Sequence, residues 1–276
     1  MRVAPLLRGD CQLFGLARRA ERFAVLRAAG IIPLPGDLDD MRSLYRIAGL
    51  TDAVLHFVPP SGATSGDIRT RNLLAVLSRG KPPKRLIYIS TSGIYGDCGG
   101  AWISETHPLH PQTVRAKLRV DAEQQIRGWA RRNHVNTGIL RVPGIYAADR
   151  LPLERLRAGT PAIAREEDGY TNLIHADDLA HIVVAALRYA KPNRIYHASD
   201  DSEMKMGDYL DAVADACRLP HPPRLPRADA EHSVSTMLWS FMNESRRLTN
   251  ERMKRELRVR LRYPTVVDAL AEINEA

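Results

Sequence analysis

The chain has 276 residues and a net charge of +8, from 40 basic against 32 acidic side chains. That length suits one large domain, or a domain with a smaller lobe, and no run approaches the 18 apolar residues of a membrane-spanning helix. With no leader pattern and only Cys11, Cys98 and Cys217, widely spaced, the expectation is a soluble, cytoplasmic protein without a metal site.

In chain order, residues 1–9 read as the tail of an amphipathic helix ending at glycine. Residues 12–16 form an apolar strand, and a helix follows from Arg18-Arg19 to Gly30. Ile31 to Leu34 is a short strand closed by Gly36-Asp37-Leu38-Asp39-Asp40, residues 42–47 are helical, and residues 52–58 form a buried strand ending in Pro59-Pro60. Ser65 is placed to cap a helix through Leu77, whose Ile68, Leu73, Leu74 and Leu77 share one face.

Residues 85–96 read RLIYISTSGIYG. The first half is an unbroken apolar run, as in a strand buried on both faces; the second half switches to hydroxyls and glycine. Hydroxyls therefore gather at the carboxyl end of a central strand, where open α/β sheets place their ligands. A helix over residues 114–129, a strand over 137–142, a helix over 176–189 and a strand over 194–198 complete the alternation. Residues 219–227 form a short proline-rich connection. Strands alternating with helices at this spacing predict a parallel, doubly wound sheet. The arginines are scattered with few aromatics between them, so nucleic-acid binding is not expected, whereas an anionic cofactor or substrate needs only a few of them.

Five segments in order resemble the extended short-chain dehydrogenase/reductase superfamily, the NAD-dependent epimerase/dehydratase group: residues 36–38, 52–58, 90–96 (STSGIYG), 141–146 (RVPGIY) and 172–180 (NLIHADDLA). The resemblance implies a Rossmann-type sheet with a dinucleotide-binding part over residues 1–150. Residues 151–276 become a mixed region, a small substrate lobe plus the strands and helix of residues 172–198 that return to the sheet. It implies an NAD(P)-dependent oxidoreductase acting on a sugar nucleotide or a small carbonyl or alcohol. It places Asp37 and Leu38 at the adenine, Phe57, Val58 and Pro59 along the cofactor groove, Ser90 beside it, Thr91 as the catalytic hydroxyl and Pro143 beside the nicotinamide. Arg18 and Arg19 follow the second strand of that fold, where an arginine receives the 2′-phosphate of NADP and an acid favours NAD; this tilts the expectation to NADP. A small-molecule substrate is the expected partner, with no nucleic acid and no membrane, and homodimer formation is left open.

Two departures stand out. The family's first strand and its G-x-x-G-x-x-G turn, which lets backbone N–H groups and a helix N-terminus approach the pyrophosphate, have no counterpart in the chain. Either the chain starts inside the first helix, the favoured reading, or residues 1–7 re-form as a substitute strand. The second departure is chemical. The family's base is a tyrosine four residues before a lysine on one helix, the lysine lowering the phenol's pKa. Aligned on Glu123, these positions hold Arg115 and Arg119, and Lys117 points about 160° away from the pair. A guanidinium stays protonated and cannot replace a titrating phenol. The arginines are then either carboxylate or phosphate binders or a solvated helix face. Tyr95 and Tyr146 are the displaced phenols to consider, against a packing role for each. His56 and His175 read as hydrogen-bonded structural residues. A non-catalytic dinucleotide-binding or metabolite-sensing protein of the same fold is the alternative function.

Overall fold

In the computed structural model, residues 1–62 and 66–274 are described. The first half runs α1 (Val3–Leu7), β1 (Leu13–Ala17), α2 (Glu21–Ala28), β2 (Ile31–Pro35), a 3-10 turn at Met41–Ile47, β3 (Ala53–His56), α3 (Ile68–Leu77), β4 (Arg85–Thr91), β5 (Trp102–Ile103), α4 (Val114–Asn133) and β6 (Asn136–Val142). The second half runs β7 (Gly144–Tyr146), α5 (Leu153–Arg157), β8 (Ala162–Ile163), β9 (Tyr170–Thr171), β10 (Leu173–His175), α6 (Ala176–Tyr189) and β11 (Arg194–His197). Then come β12 (Met204–Lys205), α7 (Met206–Ala216), β13 (Arg224–Leu225), α8 (Arg227–Ser233), α9 (Thr236–Met242), β14 (Arg247–Leu248), α10 (Glu251–Leu257) and α11 (Val266–Asn274). No helix among the described residues is long and apolar enough to cross a membrane.

The central sheet has the order β11-β6-β4-β3, all parallel, with β4 in the middle and Thr91 opposite Val142. Leu86, Ile87 and Tyr88 are buried because helices cover both faces: α3 and α4 close one core, α6 and α10 the other. The apolar run legible in the sequence is this strand, and the fold is the doubly wound, Rossmann-type α/β architecture it predicts.

A second parallel pair, β1 with β2, is not hydrogen-bonded to the central sheet. Leu16 of β1 and Val54 of β3 pack against the same core, so the two sheets belong to one layer. Among the described residues β1 pairs only with β2 and β3 only with β4, and no strand joins them. The consequence shows in burial: every residue of β1 is half-buried, and α2 buries none of its residues. The substitute strand does not form at residues 1–7. Val3–Leu7 is a helix lying along α6, with Arg2 donating 2.7 Å to Asp177 and Val3 packed into the core below.

The cap of α3 is Asp67, whose carboxylate accepts from the Arg69 N–H at 3.1 Å. Ser65, the expected cap, lies outside the described residues.

Beyond α6 the chain builds a lobe over the carboxyl ends of the strands. Its core joins Tyr146, Leu156 and Leu173 to Tyr209, Val213, Val266 and Leu270. Short ladders tie it down: β7 with β10, β8 with β13, β9 with β12, and β5 with β14 across some 145 residues of sequence. The proline-rich stretch is not a free connection, because Arg224 and Leu225 pair with Ala162 and Ile163.

Candidate functional site

The site is assembled at the end of β4. Thr91 ends the strand and caps the next turn, its Oγ1 accepting from the Gly93 N–H at 3.2 Å. The turn requires Gly96, which has φ +67° and would drive a Cβ to 2.4 Å from the His110 carbonyl. Thr91 lines a cavity of about 290 Å³ closed on one side by Pro143 and Gly144 and on another by the start of α4. The lobe supplies the roof, with Tyr170, Met206, Leu238, Phe241 and Arg246. The hydroxyl proton of Thr91 has no acceptor among the described residues, so it is available to a ligand oxygen.

The two arginines expected at the tyrosine and lysine positions have different fates. Arg115 lines the cavity, exposed, with its guanidinium 4.3 Å from the centre of the Phe241 ring and no carboxylate partner among the described residues. Arg119 turns into the sheet, where one nitrogen donates to the Tyr88 phenol at 2.9 Å and to the Ile89 carbonyl at 2.6 Å. They do not form a joint anion clamp. Tyr88 is fully buried, which pushes its phenol up to about 12 although Arg119 opposes the shift.

Neither displaced phenol reaches this cavity. Tyr95 is buried below it, its Oη 2.6 Å from His197 Nε2 and accepting from Arg141 at 2.6 Å; burial pushes its pKa up to about 12. Arg141 in turn forks onto Glu123 at 3.2 and 2.8 Å, both side chains almost wholly buried. Tyr95 is thus one corner of a network joining the turn after β4 to α4, β6 and β11. Tyr146 packs edge-on against His175 in a separate cavity beside α11. His175 caps α6 by accepting from the Asp177 N–H, and His56 sits 2.9 Å from the Thr70 hydroxyl. Burial lowers the pKa of both, His56 to about 4. The phenol that does line the cavity is Tyr170, with Arg247 stacked 4.4 Å over its ring.

The expected cofactor residues fall along the ends of β1, β2 and β3. Arg18 lies 3.7 Å from Asp37 and 4.0 Å from Asp39, still more than half exposed. Leu38 is buried, its carbonyl taken by Asn72 at 2.8 Å. Phe57 and Val58 are exposed beyond β3, and the Pro59 carbonyl accepts from Arg69 at 3.0 Å. Arg69 also grips Asp39 at 2.9 and 2.7 Å, joining the β2 and β3 loops. Ser90 is buried with its Oγ unpaired, and Pro143 stands beside Thr91.

The fit to a nicotinamide dinucleotide is therefore divided. Arg18, Asp37 and Asp39 lie together where the resemblance expects the adenosine, and Pro143 lines the Thr91 cavity where it expects the nicotinamide. Among the described residues no glycine-rich strand-to-helix turn opens onto the gap between β1 and β3, and the helix there begins with Arg2 bound to Asp149 and Asp177. Among the same residues no cluster of His, Cys, Asp and Glu suits a metal ion.

Tyr170, Leu238, Phe241, Glu244 and Arg246 were not distinguished by sequence as site residues. They reach it through long-range pairing: Ser245 accepts from the N–H groups of Cys98 and Gly100, and Arg246 donates to the Gly96 carbonyl at 2.8 Å. No local motif marks them.

Residues 3–198 match the NAD dependent epimerase/dehydratase family, and the chain belongs to that family. No curated protein sequence matches the chain. Among solved structures it is similar to a functionally unknown conserved protein from Silicibacter pomeroyi DSS, at 27% identity and a TM-score of 0.82, over 99% of this chain and 93% of that one. The dTDP-glucose 4,6-dehydratase DesIV of Streptomyces venezuelae, solved with NAD bound, has 18% identity and a TM-score of 0.79, over 99% and 91%. The UDP-glucose 4-epimerase of Thermotoga maritima, solved with UDP-glucose, has 16% identity and a TM-score of 0.77, over 99% and 93%. These last two likenesses concern the fold.

Proposed function

We propose that the chain is an NAD(P)-dependent, epimerase/dehydratase-like oxidoreductase acting on a sugar nucleotide or a small carbonyl or alcohol in the Thr91 cavity. The observation that carries this reading is the Thr91 hydroxyl, free to donate at the carboxyl end of the central strand, in a chain of this family. Thr91 would polarise the substrate oxygen. Pro143 and Gly144 would bound the face on which it lies, and the lobe would exclude water. A bound nicotinamide would supply hydride chemistry.

The proton needs a route other than the helix pair, since Arg115 and Arg119 offer no phenol there. Tyr170, which lines the cavity, would be the phenol that carries it. The second reading, a non-catalytic dinucleotide-binding or metabolite-sensing protein, is favoured by Arg119, which is spent on the sheet where the family keeps a free lysine.

The test is a turnover screen with NADPH and NADH over sugar nucleotides and small carbonyls. Cofactor consumption that disappears in Thr91→Ala supports the enzyme reading. Binding without consumption by any substrate supports the second reading, and consumption that survives Thr91→Ala removes the assigned role of Thr91.

A further inference from the structure

We propose that the Thr91 cavity is selective for a small hydroxylated carboxylic acid, with Arg115 as the residue that holds the carboxylate; this rests on the cavity being the substrate site. Charge is the first argument. Arg246 is matched by Glu244 at 2.7 Å, which leaves Arg115 as the one uncompensated charge among the described lining residues. Arg115 also stands in the first turn of the 20-residue α4, which carries no acidic residue in that turn. A helix N-terminus already bears partial positive charge, so a cation there without an acid is unfavourable until an anion arrives. Stacking on Phe241 fixes the guanidinium plane and leaves its N–H edges for a bidentate contact.

The number of charges separates the possible anions. One uncompensated guanidinium balances a carboxylate. A phosphate monoester carries roughly 1.5 to 2 negative charges at neutral pH and would be under-neutralised. The cavity's volume of about 290 Å³ lies at the bottom of the range for small-molecule sites, which disfavours a whole sugar nucleotide. Thr91 and Tyr170 offer partners to the ligand's hydroxyls, while Met206, Leu238 and Phe241 supply apolar walls for its carbon skeleton.

The test is calorimetric titration of the full chain with three matched pairs, D-glucuronate and D-glucose, D-gluconate and D-glucitol, glycerate and glycerol, together with D-glucose 6-phosphate and UDP-glucose. At least one carboxylate is expected to bind tenfold or more tightly than its neutral counterpart, with an affinity that falls as salt is added. Arg115→Met should bring that pair within twofold, and Arg115→Lys should retain part of the preference. Arg115 is exposed, so these variants keep the fold, which circular dichroism checks. Equal binding of acid and neutral partner, no saturable carboxylate binding at millimolar concentration, tighter binding of either phosphorylated ligand, or an unchanged preference in Arg115→Met would overturn the proposal. NADH titrated separately into the same samples keeps the two readings apart. Dinucleotide binding without a carboxylate preference overturns this inference alone, and the reverse overturns the oxidoreductase reading alone.

Discussion

Arg119 donates to the backbone carbonyl of Ile89 at 2.6 Å, and the same nitrogen reaches the buried Tyr88 phenol at 2.9 Å. Arg119 is thereby a strut between α4 and the central strand. Removing it strands a buried hydroxyl and a strand-end carbonyl, each costing about 1–3 kcal/mol if left unsatisfied. Arg119→Met should therefore lower unfolding stability by about 2–6 kcal/mol for the two groups together, measured by urea denaturation, with Arg119→Lys recovering part of it. An Arg119→Met protein as stable as the parent would show that the strut carries no load.

The Glu123–Arg141 pair is a stronger case of the same kind. Both side chains are at most 4% exposed, and the fork also holds the Tyr95 hydroxyl and the Glu105 carbonyl. Breaking a buried pair from one side leaves an uncompensated charge and costs about 3–5 kcal/mol. Glu123→Ala should lose that much in urea unfolding, or fail to fold, and Glu123→Gln should lose less. A loss no greater than that of an exposed substitution would contradict the network.

Stability should climb with pH and level off near neutrality. His56 and His197 are held neutral by burial, their pKa values lowered from 6.5 to about 4 and about 3. Lowered bases contribute stability that is complete above 6.5 and lost as pH falls through the folded values. Asp200 behaves oppositely: burial raises its carboxyl from 3.8 to about 7, so its contribution is complete below 3.8 and lost as pH rises through 7. Between about pH 4.5 and 6 two imidazoles outweigh one carboxyl, and stability should climb by about 1 kcal/mol per pH unit. Near pH 7 the last protons of the unfolded imidazoles and the Asp200 proton oppose each other almost equally, and stability should level off. Thermal unfolding across pH 4–8 reads the climb and the plateau, and Asp200→Asn should steepen the climb; a stability that does not rise from pH 4.5 to 6 would contradict the buried imidazoles.

For turnover, two hydroxyls carry the expectation. Losing a hydrogen-bond donor aimed at a reacting oxygen costs about 10²–10³ in kcat. Thr91→Ala should lose that much, with unchanged circular dichroism. A phenol moving the proton contributes about 10²–10⁴. Tyr170→Phe should lose within that range in kcat with KM little changed, a split that lost packing would not produce. A tenfold or smaller effect of Tyr170→Phe on kcat would return the proton step to another group.

The central sheet was legible because its signals are local. Leu86 to Ile89 is an unbroken apolar run, α6 falls on the predicted residues 176–189, and the switch to Ser90-Thr91-Ser92-Gly93 marks the end of β4 and the 3-10 turn after it. The helix pair was legible in position but not in direction. Arg115 and Arg119 are one turn apart, and only packing decides that one meets Phe241 in the cavity and the other meets Tyr88 in the sheet. The lobe's contribution was not legible: Tyr170, Phe241 and Arg246 reach the site through ladders such as β5–β14 that no short pattern encodes. Asp67 as the α3 cap was readable in principle, being an acceptor directly before the helix.

The most direct measurement is calorimetric titration of the chain with NADPH and NADH. The oxidoreductase reading predicts one dinucleotide per chain, NADPH the tighter of the two through Arg18, at a Kd of about 0.1 mM or below, equivalent to about −5.5 kcal/mol. Absence of heat from either dinucleotide at millimolar concentration, from a chain that unfolds cooperatively, would contradict it and leave a family fold that does not hold the family's cofactor.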